Sequence, residues 1–202
     1  MKRVFLDASC WVAAAGSPTG GSTLILRLAR AGHVRLVATR RVLQEAEHNI
    51  RTKMGEESLL RYYRLLGSVE LELTSPVTPE EEAKWSGLVA PKDAHVLAGA
   101  AKAKVDVLIS LDRRHILTER VRKGFSIPVQ DTREFLRGIA QEAEAQRGEQ
   151  GAPEVTEGDG GKDDGPDNRD HQRQGRRGQD QRSGQPGRRS SGGRAPGAGG
   201  GL

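Results

Sequence analysis

Four acidic residues occupy positions from which their carboxylates could act together. Asp7 and Asp112 each come within two residues of the end of an apolar segment that predicts a buried strand. Asp93 opens a predicted helix, and Glu45 lies about one and a half turns into another. In a parallel α/β sheet, the carboxyl ends of the strands and the beginnings of the following helices share one edge, where such folds place their sites. The sequence therefore predicts that these four side chains converge.

Carboxylates that converge need a compensating charge, because two of them about 4 Å apart repel by roughly 4 kcal/mol at an effective dielectric constant near 20. A hard divalent ion such as Mg²⁺ or Mn²⁺ suits an all-oxygen site and can activate a bound water for attack on a phosphodiester. The formal net charge of +5 favours a polyanionic partner. Cations next to the acids are candidate contacts for substrate phosphates: Arg40, Arg41, Lys92, Arg113 and Arg114.

Each acidic residue also has a purely structural interpretation. Asp7 could cap a short turn that begins at Ala8, and Asp112 could cap a helix that follows it. Asp93 could be an ordinary acid in the first turn of a helix. Glu45 could be a solvated helix residue, and Glu47 competes for any role given to it. Four independent caps have no reason to converge, so their relative positions decide between the two interpretations.

The predicted elements alternate between strands and helices. Apolar or alternating segments predict strands at 3–6, 34–38, 69–73, 106–110 and 127–130. Helical spacing, capping residues and glycine stops predict helices at 21–32, 40–54, 56–67, 78–88, 91–105, 114–124 and 131–141. The alternation within 69–73 indicates an edge strand, and the apolar segment 106–110 indicates a central one. This order is typical of an α/β fold with a parallel sheet and helices on both faces.

Composition divides the chain into a folded part and a tail. Residues 1–140 contain the predicted strands and helices and have the size of one domain. Residues 141–202 are rich in Gly, Arg, Asp and Gln with little to bury, which predicts a disordered tail. Its arginine-rich end could contact nucleic acid, or it could serve only solubility.

The cysteine content and the hydropathy indicate a cytoplasmic protein. The one cysteine, Cys10, excludes an internal disulfide and a cysteine-based zinc cluster. A secretory signal is the alternative interpretation of the first residues, since Lys2 and Arg3 precede the apolar run Cys10–Ala15. That run is shorter than the roughly 7–15 apolar residues that a signal requires. No stretch approaches the ~20 apolar residues of a membrane-spanning helix.

Four segments of the sequence resemble the acidic motifs of PIN-domain proteins in order and spacing. They read VFLDAS, ATRRVLQEAEHNI, PKDAHVLAGAA and VLISLDRRH, and the resemblance covers about residues 1–138. It implies a three-layer α/β/α sandwich with a central parallel sheet. The fourth motif departs from many members, which carry Thr before the aspartate and an aromatic residue soon after it.

The resemblance also implies an activity and its residues. It implies an Mg²⁺- or Mn²⁺-dependent ribonuclease such as the VapC-type toxins, acting on RNA, as a homodimer, with a small antitoxin protein as partner. By position, the catalytic acids are Asp7, Glu45, Asp93 and Asp112, with Asp7, Asp93 and Asp112 as metal ligands. Ser9 and Ser110 match small hydroxyl positions that support the site through hydrogen bonds.

Two other classes of function compete with a nuclease. A catalytically silent PIN-like module that binds RNA or protein would not need the complete set of acids. A nucleotide-binding protein is disfavoured because the chain has neither GxxxxGK[ST] nor GxGxxG. The five histidines show no HExxH spacing, which argues against a zinc hydrolase.

Overall fold

A five-stranded parallel sheet forms the centre of the structure, a computed structural model that describes residues 1–150. Its strands follow the predicted order: β1 (Lys2–Leu6), β2 (Val34–Ala38), β3 (Leu71–Leu73), β4 (Val107–Ile109) and β5 (Val129–Gln130). In space the order is β3-β2-β1-β4-β5, and all neighbouring pairs are parallel. β3 therefore lies at an edge and β4 lies inside the sheet, as their sequence patterns predict.

Helices cover both faces of this sheet. Within residues 1–150 they are α1 (Ala8–Gly16), α2 (Gly21–Arg30), α3 (Arg40–Lys53), α4 (Glu56–Ser68), α5 (Pro79–Ala83), α6 (Ala94–Ala103), α7 (Glu119–Gly124) and α8 (Thr132–Gln150). Connections from β1 through β3 run in one direction across the sheet, and those to β4 and β5 run in the other. Since such connections are right-handed, α1–α4 and α5–α7 lie on opposite faces. The predicted three-layer α/β/α architecture is confirmed.

The strand order reverses beside β1, and this reversal opens a crevice at the carboxyl edge of the sheet. The chain leaves β1 towards one face and leaves β4 towards the other, although the two strands are neighbours. The backbone N–H of Asp7 donates to the carbonyl oxygen of Ile109 at 3.0 Å and joins the two strand ends. Open α/β sheets bind ligands at such a switch point.

Helix α6 lies close to the sheet because its residues are small. Its buried positions are mostly alanine and glycine, as expected for 91–105. A Cβ added to Gly99 would lie 2.6 Å from Cγ2 of Thr39 and 3.1 Å from the ring of Phe5. Gly99 therefore sets the distance between α6 and the strands that carry the site.

Helix α1 was not predicted from the sequence, which indicated only a short turn after Asp7. In its segment ASCWVAAAG, the buried residues Ala8, Cys10, Trp11 and Ala14 are spread over more than one face of the helix. A helix that is apolar on most faces has no polar stripe, so its period does not show in the sequence. The small, buried Cys10 fits this packing and is not exposed for reaction.

Two predicted helices are shorter in the structure. α5 ends at Ala83 instead of continuing to residue 88, because Ser86 and Gly87 favour the tight turns that follow. α7 begins at Glu119 instead of residue 114. The preceding segment turns around Asp112, whose carbonyl oxygen accepts the N–H groups of residues 116 and 117.

The last helix is longer than predicted. α8 continues past residue 140, the expected end of the domain, to Gln150. The added residues are mainly Ala, Glu and Gln, which favour helix, and Glu142 forms an ion pair with Lys2. The rest of the predicted tail lies outside the described residues.

Within residues 1–150, none of the helices combines the length and the apolar character that crossing a membrane requires.

Candidate active site

The four predicted acids line one cavity of about 280 Å³ at the carboxyl edge of the sheet. Asp7 follows β1, Glu45 lies on α3, Asp93 precedes α6 and Asp112 follows β4. The strand order therefore brings to one cavity residues that are as far apart in the chain as Asp7 and Asp112. All four predicted acids thus line the same cavity, and the role of each side chain depends on its own contacts.

Asp7 is buried beside the ends of β1 and β4, with 6% of its surface exposed. Its Oδ1 accepts the N–H of Ala8 at 2.7 Å, so it caps α1 as the structural interpretation required. Its Oδ2 accepts the hydroxyls of Ser9 and Ser110, each at 2.7 Å. Burial raises the pKa of Asp7, although the two hydroxyl donors oppose that rise. Capping and a place in the cavity are thus compatible.

Ser9 and Ser110 link Asp7 to the loop that carries Asp112. Ser9 Oγ accepts the backbone N–H of Leu111 at 2.9 Å. Ser110 Oγ accepts that of Asp112 at 3.0 Å. Each serine thus donates to one acid and fixes the backbone next to another, which is the hydrogen-bonding support expected of these positions.

Asp112 is held in a turn by donors from the residues that follow it. Its Oδ1 accepts the N–H groups of Arg114 and His115 at 2.8 and 3.0 Å, and Nδ1 of His115 lies 2.8 Å from Oδ2. Burial raises the pKa of Asp112, but these donors outweigh that effect and the net pKa is lowered. Asp112 is therefore an ionised carboxylate at neutral pH.

Glu45 lies on the side of the cavity formed by α3 and contacts a buried histidine. Nε2 of His95 lies 3.3 Å from Glu45 Oε2, while Nδ1 of His95 lies 2.9 Å from the carbonyl oxygen of Lys92. The contact with His95 lowers the pKa of Glu45. Its competitor Glu47 instead pairs with Arg51 and Tyr63, away from the cavity. The structure therefore favours Glu45 over Glu47.

Asp93 has a buried oxygen without a partner. Its side chain makes no capping hydrogen bond to α6. Among the described residues, its Oδ2 has no hydrogen-bond partner, and the nearest cation, Nζ of Lys92, is 4.0 Å away. A helix-capping role therefore does not account for this carboxylate, in contrast to Asp7.

Comparison with protein families identifies the fold. A family model described as PIN domain matches residues 3–114, more than half of the chain. The chain belongs to the PIN-domain family. The matched residues include all four acids of the cavity, and a comparison with curated proteins returned no match.

Solved structures similar to this PIN domain come from several organisms. VapBC2 from Rickettsia felis, bound to a promoter DNA fragment, has a TM-score of 0.49 and 12% identity, covering 64% of this chain and 98% of its own. The sarcin-ricin loop cleaving toxin VapC20 of Mycobacterium tuberculosis has a TM-score of 0.42 and 21% sequence identity. The match covers 60% of this chain and 95% of VapC20. PAE2754 from Pyrobaculum aerophilum has a TM-score of 0.49 and 14% sequence identity. The match covers 69% of this chain and 96% of PAE2754.

The oxygen atoms that line the cavity of the PIN domain are of the type that hard divalent cations prefer as ligands. Carboxylate oxygens dominate, and among residues 1–150 Oδ2 of Asp93 has no hydrogen-bond partner, while Asp7 is desolvated. In the side-chain positions seen for the described residues, no three His, Cys, Asp or Glu residues form a ready metal cluster. The carboxylate of Asp112 is hydrogen-bonded to His115. Support for a metal therefore comes from the kind of donor atoms in the cavity and not from ligands already arranged around an ion.

The cations predicted to hold phosphate do not line this cavity. Arg40 and Arg41 line a neighbouring cavity, and Arg41 pairs with Glu82 at 2.7 Å. Lys92 is exposed beside Asp93, and Arg113 is 80% exposed, with Asp131 at 3.7 Å. None of these four cations lines the acidic cavity, although Nζ of Lys92 lies 4.0 Å from Oδ2 of Asp93.

Sequence reasoning missed two polar residues of the cavity, Asn49 and Lys53. They lie four and eight residues after Glu45 on α3, so all three share one helix face. Nζ of Lys53 donates to Oδ1 of Asn49 at 2.6 Å. The helical spacing of Asn49 and Lys53 after Glu45 is the sequence signal for their place in the cavity, whereas adjacency to an acid in the chain is not.

Proposed function

We propose that this PIN domain is a metal-dependent ribonuclease that hydrolyses phosphodiester bonds of RNA. The observation that carries the proposal is that four carboxylates line one cavity and that one of them, Asp93, has a buried oxygen without a hydrogen-bond partner in the described part of the chain. Such a cluster is costly unless it binds protons or a cation. The family assignment and the basic chain support a polyanionic substrate.

Asp7, Asp93 and Asp112 would hold Mg²⁺ or Mn²⁺. When bound, such an ion lowers the pKa of a coordinated water and offsets charge on the phosphate. Ser9 and Ser110 keep Asp7 oriented and fix the loop of Asp112. Because each hydroxyl is committed to these contacts, the site is organised before substrate arrives.

Glu45 and Lys53 act on the substrate side of the cavity. Glu45 is ionised, since its pKa is lowered, and can accept a hydrogen bond from the attacking water and orient it. Lys53, aimed by Asn49, donates to a non-bridging oxygen of the scissile phosphate. Arg40, Arg41, Lys92 and Arg113 contact phosphates further along the strand.

We also propose that the protein is the toxin of a toxin–antitoxin pair and acts as a homodimer. This part rests on the sequence resemblance to VapC-type proteins. A small antitoxin would inhibit the nuclease by covering the acidic cavity. Co-purification with the product of an adjacent small reading frame, and loss of activity in that complex, would support this partner.

The proposed activity is tested by cleavage of labelled single-stranded RNA with Mg²⁺ or Mn²⁺ titrated into EDTA-treated protein. The Asp93→Asn variant should lose at least about a hundredfold in rate, because a metal site supplies several kcal/mol to the transition state. Asp106→Asn is the matched control, since Asp106 is exposed at the opposite end of β4. Equal rates for both variants, or no metal-dependent cleavage by the wild type, would contradict the proposal.

A further inference from the structure

A second cavity, of about 430 Å³, lies beside the acidic one at the carboxyl edge of the sheet. The ends of β2 and β3 and the first turns of α3 form it. Its lining includes Gln44, Leu73, Thr74 and His95. It contains none of the four acids, so the metal chemistry proposed above does not use it.

The two cavities are neighbours through shared elements. Gln44 lines the second cavity, and the next residue, Glu45, lines the acidic one. His95 lines the second cavity and contacts Glu45 at 3.3 Å. The contact between Glu45 and His95 therefore lies between the acidic cavity and the second cavity.

The chemistry of the second cavity fits a nucleobase. Leu73 is 50% exposed and, together with Pro76 and Val77, provides an apolar surface for a ring. The Gln44 amide and the Thr74 hydroxyl are uncharged groups that can donate to and accept from a base edge. A largely apolar cavity with a few polar groups is the usual form of a small-ligand site.

The rim of the cavity fits the phosphate of the same nucleotide. Arg40 is exposed there and has no ion-pair partner among the described residues, whereas Arg41 is paired with Glu82. A cation beside an apolar, amide-bearing cavity is complementary to an anionic sugar-phosphate with an attached base. The positive charge at the rim of the second cavity and the apolar surface inside it are thus both complementary to a nucleotide.

We propose that the second cavity binds the base of the nucleotide next to the scissile phosphate and so selects where RNA is cut. The proposal rests on the ribonuclease function above and adds the part that determines sequence preference. Gln44 reads the base edge, and Leu73 provides the surface on which the ring lies.

The first test measures preference rather than rate. A random single-stranded RNA pool is cut by the wild type, by Gln44→Ala and by the control Gln141→Ala, and the cleavage sites are sequenced. Gln44→Ala should reduce base preference about fivefold at one position beside the cut, the value of one lost hydrogen bond. The control, an exposed residue of α8, should retain the wild-type pattern. An unchanged pattern in Gln44→Ala would overturn the proposed reading of the base.

The second test does not depend on cleavage. In an Asp93→Asn background, fluorescence anisotropy measures binding of a short single-stranded RNA in the presence of EDTA. Leu73→Ser should weaken binding about fivefold, whereas Leu24→Ser, at a similarly exposed leucine of α2, should not. If Leu73→Ser weakens RNA binding but the wild type cleaves no RNA, the base-binding site is supported and the proposed nuclease function is contradicted. Equal binding by both leucine variants would overturn the site.

Discussion

Asp7 performs two tasks with one carboxylate. One oxygen caps α1, and the other accepts two hydroxyls at the wall of the acidic cavity. The side chain is desolvated, and burial raises its pKa. The structural interpretation of Asp7 as a helix cap is therefore correct, and it is compatible with the active-site role that we propose for the same residue.

The buried charge of Asp7 should make the protein less stable as pH rises. Because the folded-state pKa is raised, the folded state binds more protons than the unfolded state above the ordinary pKa of aspartate, and stability falls until the folded-state pKa is passed. The change in the free energy of unfolding that Asp7→Asn causes in EDTA should therefore become more favourable between pH 4 and pH 7, as the buried charge that it removes would otherwise form. Urea denaturation from pH 4 to 7 checks this. A gain that does not grow with pH would contradict it.

Lys53 is the one cation among the described residues that line the acidic cavity, and its contribution should appear in activity. Lys53→Gln should lower kcat/KM for RNA about tenfold or more, the value of a charged hydrogen bond to phosphate. Arg51→Gln removes the same charge from the same helix but outside the cavity, so it serves as control. Steady-state kinetics at two salt concentrations would separate the contact from general attraction. Equal losses of kcat/KM in Lys53→Gln and Arg51→Gln would contradict a specific contact of Lys53 with the phosphate and would indicate only general electrostatic attraction.

The difference between predicted and observed site residues has a physical reason. The four acids follow strands or open helices, and chain order alone places such positions at one sheet edge. Asn49 and Lys53 enter the cavity because of the direction of α3, which depends on how that helix packs. The phosphate role of Arg40 and Arg41 was assigned from sequence adjacency, which does not specify the cavity that a side chain lines.

At the scale of elements, α6 determines how closely the site can be assembled. Gly99 packs against Thr39 and Phe5, and Thr39 caps α3, the helix that carries Glu45. The spacing of small residues in this segment was visible in the sequence and predicted close packing. Helix α1 was missed because its buried, apolar segment shows no helical period.

Enlarging Gly99 should therefore destabilise the fold. Gly99→Ala should lower the free energy of unfolding by about 1–3 kcal/mol, because its Cβ would contact Cγ2 of Thr39 at 2.6 Å. Gly67→Ala on α4, where an added Cβ would meet no atom within 4 Å in residues 1–150 apart from its chain neighbours and its own helix backbone, should instead stabilise by about 0.5–1 kcal/mol. Urea denaturation of both variants checks the pair. The same sign for both changes would contradict this account of α6.

At the scale of the whole molecule, the described helices and strands should form a stable unit without the remaining residues. α8 belongs to this unit because it packs on α2 and buries Phe135. The domain boundary at 140 stays a prediction, but the last helix, expected to end at 141, continues to Gln150 because helix-favouring residues continue there. Composition alone thus identifies a tail but does not fix where a helix ends.

Truncation tests this boundary. Removing residues 151–202 should change the Tm by no more than about 2 °C, since the segment has little apolar surface to bury. Removing everything after Gln130 deletes α8 and should lower the Tm strongly or prevent folding. Differential scanning calorimetry compares both with the full chain. A large loss from the shorter deletion would show that the tail contributes to the fold.

The most direct test of the central claim is calorimetric titration of Mn²⁺ into the EDTA-treated, desalted protein. The wild type should bind Mn²⁺ with a defined stoichiometry. Asp93→Asn should lose at least about tenfold in affinity, and Asp106→Asn should bind like the wild type. Equal Mn²⁺ affinity in the wild type and Asp93→Asn, or no binding by the wild type, would contradict a divalent cation held by these carboxylates.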